Sequence, residues 1–113
     1  MRLYLDAAPV IYTVEQVALF AAAVDVRLSG TDIVQVASDL PRMQCRVKPL
    51  HDGNNDLLID YDAYFEGAIT EIAALSREVM DRATAIRAQY GFRTPDAIHL
   101  AAAVISGCEV FLT

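Results

Sequence analysis

The sequence predicts an α/β domain with a mostly parallel central sheet flanked by helices. Three observations lead there. Short runs of apolar and β-branched residues alternate with longer helical segments along the chain. Helix starts and stops are marked, by Ser38, Ser76 and Thr94 as N-caps and by Gly30 and Gly91 as terminators. A chain of 113 residues that is 55% hydrophobic is long enough for one core, so residues 1–113 are expected to form a single domain.

The elements follow in order. Arg2-Leu3-Tyr4-Leu5 opens a strand over residues 2–6 that ends in Asp6. Helices are expected over 8–15 and 16–29. The apolar run from Val17 to Val26 is too short for a membrane span of about 18 residues, and it reads as a buried helix. A strand near 32–36 precedes a helix over 38–48, which Pro49 is expected to close. His51 to Asp56 is the clearest loop, rich in Asp, Asn and Gly. The next helix, 56–66, carries Leu57, Leu58, Tyr61, Tyr64 and Phe65 at helical spacing, a core or dimer face. Its acidic residues Asp56, Asp60, Asp62 and Glu66 lack calcium-loop spacing and read as the wet face. A strand near 68–73 and a helix over 76–90 come next. Thr94 is expected as N-cap, Pro95 as N1 and Asp96 as N2 of a helix over 95–106, with Gly107 at its C-cap and a last strand at 109–113.

Charge and cysteine usage narrow the function. The net charge of −6 argues against loose nucleic-acid binding through a basic surface. It is compatible with a nuclease, because metal-site carboxylates add to the acidity. Cys45 and Cys108 show no metal-ligand spacing and are expected as buried free thiols. The N-terminus lacks a signal-peptide pattern, so cytoplasmic residence is the default expectation. No phosphate-binding glycine loop and no Ser–His–Asp pattern is present.

The chemistry centres on two aspartates. Asp6 stands at the carboxyl end of the first strand, where α/β sheets bind ligands. Asp96 stands in the first turn of a helix beside the last strand. If crossovers bring the strand ends to one edge, the two carboxylates approach each other and suit a hard cation. Simpler roles are open for both: Asp6 caps the next helix, and Asp96 complements a helix dipole. His99 lies one turn after Asp96, placed to orient it, touch substrate or simply pack. Arg42 and Arg46 share a helix face, either for phosphates or for acidic neighbours. Arg93, at the mouth of the expected site, is the preferred candidate for contacting RNA.

Three segments together resemble the PIN-domain nucleases, most closely the VapC-type toxins of type II toxin–antitoxin systems. They are Leu3-Tyr4-Leu5-Asp6, the stretch Ser38 to Leu50, and Pro95-Asp96-Ala97-Ile98-His99-Leu100-Ala101 followed by Gly107-Cys108-Glu109-Val110-Phe111-Leu112-Thr113. The resemblance implies a PIN-like three-layer fold and a Mg²⁺- or Mn²⁺-dependent endoribonuclease. It also implies a homodimer and a cognate antitoxin protein. Asp6 and Asp96 would ligate the metal. Gln44 stands at the position of the family's glutamate, and Ala8 where a hydroxyl or amide is common. A fourth carboxylate and a further element would lie past Thr113, so the C-terminal end is expected to be truncated. These departures imply an alternative, a catalytically inactive PIN-like module that binds antitoxin or RNA.

Overall fold

The structure, a computed structural model, describes all residues from Met1 to Thr113. Four strands, β1 (Arg2–Leu5), β2 (Val34–Ser38), β3 (Glu71–Ala73) and β4 (Val110–Leu112), alternate with six helices. The helices are α1 (Ala7–Val14), α2 (Phe20–Leu28), α3 (Asp39–His51), α4 (Asn55–Gly67), α5 (Arg77–Tyr90) and α6 (Thr94–Ile105). The sheet is parallel throughout, in the order β3-β2-β1-β4. The expected α/β architecture, with a parallel sheet flanked by helices, is what forms.

Side-chain alternation along the strands builds two cores, one on each face of the sheet. Tyr4, Val36 and Ala73 face α5 and α6, where they meet Val79, Ala83, Ala97, Ala101, Ala102 and Ala103. Leu3, Leu5 and Ala37 face the other way, against Val10, Cys45, Tyr61, Phe65 and Ile69 of the α1, α3 and α4 side. Leu5 and Val10 are fully buried, and each such side chain contributes about 1.5–3 kcal/mol by leaving water. Alanines on α6 let that helix lie close to the sheet. Tyr61 and Phe65 are buried as the apolar stripe of α4 predicts, and Asp56, Asp60 and Glu66 are exposed.

Several boundaries move, each for a local reason. Asp32 has φ +67°, in the left-handed region, so β2 starts two residues later than expected. Gln16 and Leu19 also have positive φ, which splits 16–29 into a turn and the shorter α2. α2 is also not the buried helix expected. Only Val24 is buried; Leu19, Phe20 and Val26 are exposed, because α2 packs on α1 outside the sheet layers. Pro49 does not close α3 but lies inside its last turn, which runs on to His51 and shortens the loop. Pro49 has no N–H to donate to the carbonyl four residues back, and the helix continues only two residues past it. Ser38 and Ser76 cap as expected, accepting from Leu40 N–H at 3.4 Å and Val79 N–H at 3.2 Å. Thr94 does not cap. Arg93 occupies the N-cap without a side-chain bond, placing Thr94, Pro95 and Asp96 at the first three helical positions. Ser106 is the C-cap of α6 and Gly107 follows it, left-handed at φ +70°.

Strand order positions the site. The chain adds β2 and β3 on one side of β1, then returns to add β4 on the other. The order therefore reverses between β1 and β4. In open parallel sheets, the crevice beyond the carboxyl ends at such a point is where ligands bind.

Candidate active site

Beyond β1 and β4 the carboxyl ends carry Asp6 and Thr113. Their backbones are held together by Asp6 N–H donating to Leu112 O at 3.0 Å. Asp6, Thr113, Phe111, Phe92, Leu100 and Asp96 line one cavity of about 210 Å³. The two aspartates picked out in sequence are thus brought to one site from opposite ends of the chain. The first turn of α6 delivers Asp96, and the end of β1 delivers Asp6.

Behind the cavity lies a buried hydrogen-bond chain that sequence reading did not assemble. His99, one turn after Asp96, is only 1% exposed. Its Nε2 lies 3.2 Å from Asp6 Oδ1 and 2.9 Å from Gln44 Oε1. Its Nδ1 lies 2.9 Å from the Tyr4 hydroxyl, which is 2.9 Å from Ser38 Oγ. Burial pushes the His99 pKa down, against the pull of Asp6 and Asp96, so the ring is neutral. Burial pushes the Tyr4 phenol up, so it keeps its proton. Nε2 faces the Gln44 amide oxygen and the Asp6 carboxylate, both of which only accept, and this places the single ring proton of His99 on Nε2. Nδ1 then accepts from Tyr4 O–H, and Tyr4 accepts from Ser38 O–H. The bonds run one way, from Leu40 N–H through Ser38, Tyr4 and His99 to Gln44 Oε1, with Asp6 Oδ1 3.2 Å from the same ring nitrogen.

The alternation of the strands makes this chain possible. Tyr4 of β1 and Ser38 of β2 both project to the α6 face, as Val36 does. Only Ser38 was singled out from sequence, as a helix cap. The tyrosine was hidden as an ordinary strand aromatic, and pairing across distant elements leaves no spacing signal.

Gln44 reaches the same centre from α3, but its amide oxygen is taken up by His99. It lines a different cavity of about 460 Å³, with Ile11, Glu15, Lys48 and Tyr61 among its walls. The larger cavity is less suited to a cation. The Glu15 carboxylate accepts from the Tyr61 hydroxyl, and Lys48 supplies a competing charge there.

Arg93 is 83% exposed at the mouth of the smaller cavity, and its Nε lies 3.2 Å from Asp96 Oδ2. Arg42 and Arg46 both bind Asp62, at 3.3 and 2.9 Å, which is the acidic-neighbour alternative rather than the phosphate one. Both cysteines are free. Burial pushes the Cys45 thiol up to about 12, so it is an inert core residue. Cys108 is only half-buried, less than expected.

The donor atoms decide whether a cation fits. Asp6 Oδ1 accepts from Ala7 N–H and lies 3.2 Å from His99 Nε2, and Oδ2 accepts from Thr113 Oγ1 at 3.0 Å. A carboxylate has about four acceptor positions, so Oδ2 keeps one. Asp96 Oδ1 has no protein donor, since Arg93 takes Oδ2. No group of three or more His, Cys, Asp or Glu residues is arranged to hold a metal. The set suits an open site for Mg²⁺ or Mn²⁺, which commonly takes one or two carboxylates plus waters and substrate phosphate. It does not suit a closed structural cage.

No protein-family model matches the sequence, and no curated protein matches it. No helix is long and apolar enough to cross a membrane.

Proposed function

We propose that this chain is a metal-dependent endoribonuclease of the PIN-domain type, the toxin of a VapC-like toxin–antitoxin pair. The observation that carries the reading is the meeting of Asp6 and Asp96 in one cavity at the switch point of a parallel sheet. Asp6 and Asp96 would hold Mg²⁺ or Mn²⁺. When bound, the ion supplies Lewis acidity, lowering the pKa of water and stabilising charge on the phosphate. His99 Nε2–H, bonded to Gln44 Oε1, lies 3.2 Å from Asp6 Oδ1 and turns its positive edge toward that carboxylate, and Thr113 holds the second oxygen. Arg93 is free to turn from Asp96 toward an incoming phosphate, being highly exposed. The resemblance of three ordered segments supports the family. The exposed residues Met43, Val47 and Leu50 along α3 support a surface for a second copy or a cognate antitoxin. The test is cleavage of a mixed-sequence single-stranded RNA with Mn²⁺, beside an Asp6→Asn protein. Cleavage that the substitution abolishes is the expected result; equal cleavage by both proteins sinks the reading.

One observation favours a second reading, a PIN-like module that binds antitoxin or RNA without cutting. Gln44 carries no charge and its oxygen is committed to His99, so the site holds two carboxylates rather than a fuller set. Folded protein that binds RNA yet cleaves none with either ion would select it.

A further inference from the structure

Phe92, in the wall of the carboxylate cavity, forms an exposed aromatic pair with Tyr90 outside it. Tyr90 ends α5 and is 64% exposed; Phe92 follows Gly91 and is 43% exposed. Gly91 has φ +72°, the left-handed turn that glycine adopts readily, and it brings both rings to one side. Their centroids lie 5.9 Å apart with the planes tilted by 39°. The backbone of this turn is pinned, because Arg87 Nε donates to Phe92 O at 2.9 Å. Phe92 itself lines the cavity of Asp6 and Asp96, so the aromatic rim and the carboxylates share a wall. Arg93 stands next in the chain, exposed and cationic.

Two large rings left in water on a pinned turn lose apolar burial that the fold does not recover. Aromatic faces of this kind bind unstacked nucleobases, while bases within a duplex are already stacked and out of reach. Stacking also fits the charge of the chain. With a net charge of −6, broad electrostatic attraction to RNA is weak, so affinity must come from local contacts. We propose that Tyr90 and Phe92 form a base-stacking subsite for single-stranded RNA, with Arg93 on the adjoining phosphate. The subsite rests on the ribonuclease reading for its substrate, and it sets that substrate as single-stranded and broadly sequence-tolerant. A base seated on Phe92 leaves its phosphate at the mouth of the Asp6–Asp96 cavity.

The test separates binding from cutting. A fluorescently labelled mixed-sequence RNA strand, and the same strand annealed to its complement, are titrated with the full chain in EDTA, where no metal-dependent cleavage occurs. The expected result is tighter binding of the single strand, with Tyr90→Ala and Phe92→Ala each weakening it roughly tenfold. Tyr90→Phe keeps the ring and is expected to bind as the wild type does. Equal affinity for strand and duplex, no binding of RNA, or alanine variants that bind as tightly as wild type would each overturn the subsite. The last of these would point to a protein-docking face instead. Retained binding with no cleavage in Mn²⁺ removes the nuclease reading alone. Cleavage and binding both unchanged in the alanine variants remove the subsite alone.

Discussion

The cavity lined by Gln44 and the cavity lined by Asp6, two residues that both approach His99 Nε2, differ in an instructive way. The larger, about 460 Å³, opens among α1, α3 and α4 and mixes acids, two amides and a lysine. The smaller, about 210 Å³, has two carboxylates from opposite ends of the chain, at the one place where strand order reverses. Behind it, Tyr4, Ser38 and His99 form a buried chain of hydrogen bonds. Volume follows how loosely helices pack, whereas chemistry follows where the backbone gathers strand ends and what holds the side chains there. The proposed function therefore rests on the smaller cavity.

The same chemical change made in both cavities gives the sharpest contrast. Asp6→Asn or Asp96→Asn should reduce Mn²⁺-dependent RNA cleavage by more than about 100-fold, since even outer partners of metal ligands are worth 10–100-fold. Asp52→Asn, on the wall of the larger cavity, should leave cleavage within about twofold, as surface changes away from a site usually do. Comparable losses at all three positions would dissolve the distinction.

A smaller effect is expected from Tyr4→Phe. It removes the donor to His99 Nδ1 while keeping the ring stacked on Phe111, with centroids 5.5 Å apart. The freed imidazole no longer has its proton fixed on Nε2, so the N–H that bonds Gln44 and faces Asp6 is lost in part of the population. Cleavage and Mn²⁺ affinity should fall about tenfold, the lower range for an outer-shell partner. Nitrogen NMR of His99 should report Nε2–H in wild type and a tautomer mixture in the variant. An Nδ1–H tautomer in wild type would contradict the chain.

Gln44→Glu tests whether the two cavities are joined. Residue 44 shares His99 Nε2 with Asp6. A carboxylate there adds charge next to the site and should tighten Mn²⁺ binding by several-fold, up to about tenfold. Unchanged affinity would place residue 44 outside the site.

The smallest effect concerns pH. An unfolded histidine gains its proton near pH 6.5, while burial keeps folded His99 neutral to lower pH. As pH falls through about 6.5 the unfolded state binds more protons, so stability declines toward the depressed folded value. Above that range His99 adds no slope. Urea midpoints at pH 7.5 and 5.5 should show this decline, and His99→Gln should flatten it. An equally steep decline in the variant would trace the slope to other groups.

Much of this was legible in the sequence because its signals are local. Strand and helix alternation, the caps Ser38 and Ser76, and the left-handed Gly91 all mark their elements within a few residues. α2 and α6 show where local reading ends. Both are alanine-rich and apolar, yet α6 buries Ala97, Ala101, Ala102 and Ala103 while α2 leaves most of its surface in water. Composition gives a helix its capacity for burial, but the neighbouring elements decide whether a surface exists to bury it against. The site divides in the same way. Asp6, Asp96 and His99 stood out by their place on elements, and Gln44 by its place in a family-like segment. The role of Tyr4 depends on residues 34 and 95 positions away, and only the folded sheet brings them together.

The central claim is that Asp6 and Asp96 form one cation site. Mn²⁺ titration followed by water-proton relaxation, on wild type, Asp6→Asn, Asp96→Asn and the double variant, tests it most directly. One shared site predicts that either single change removes most of the binding and that the double change removes little more. Losses that simply add, or a wild type that binds no Mn²⁺, would contradict it.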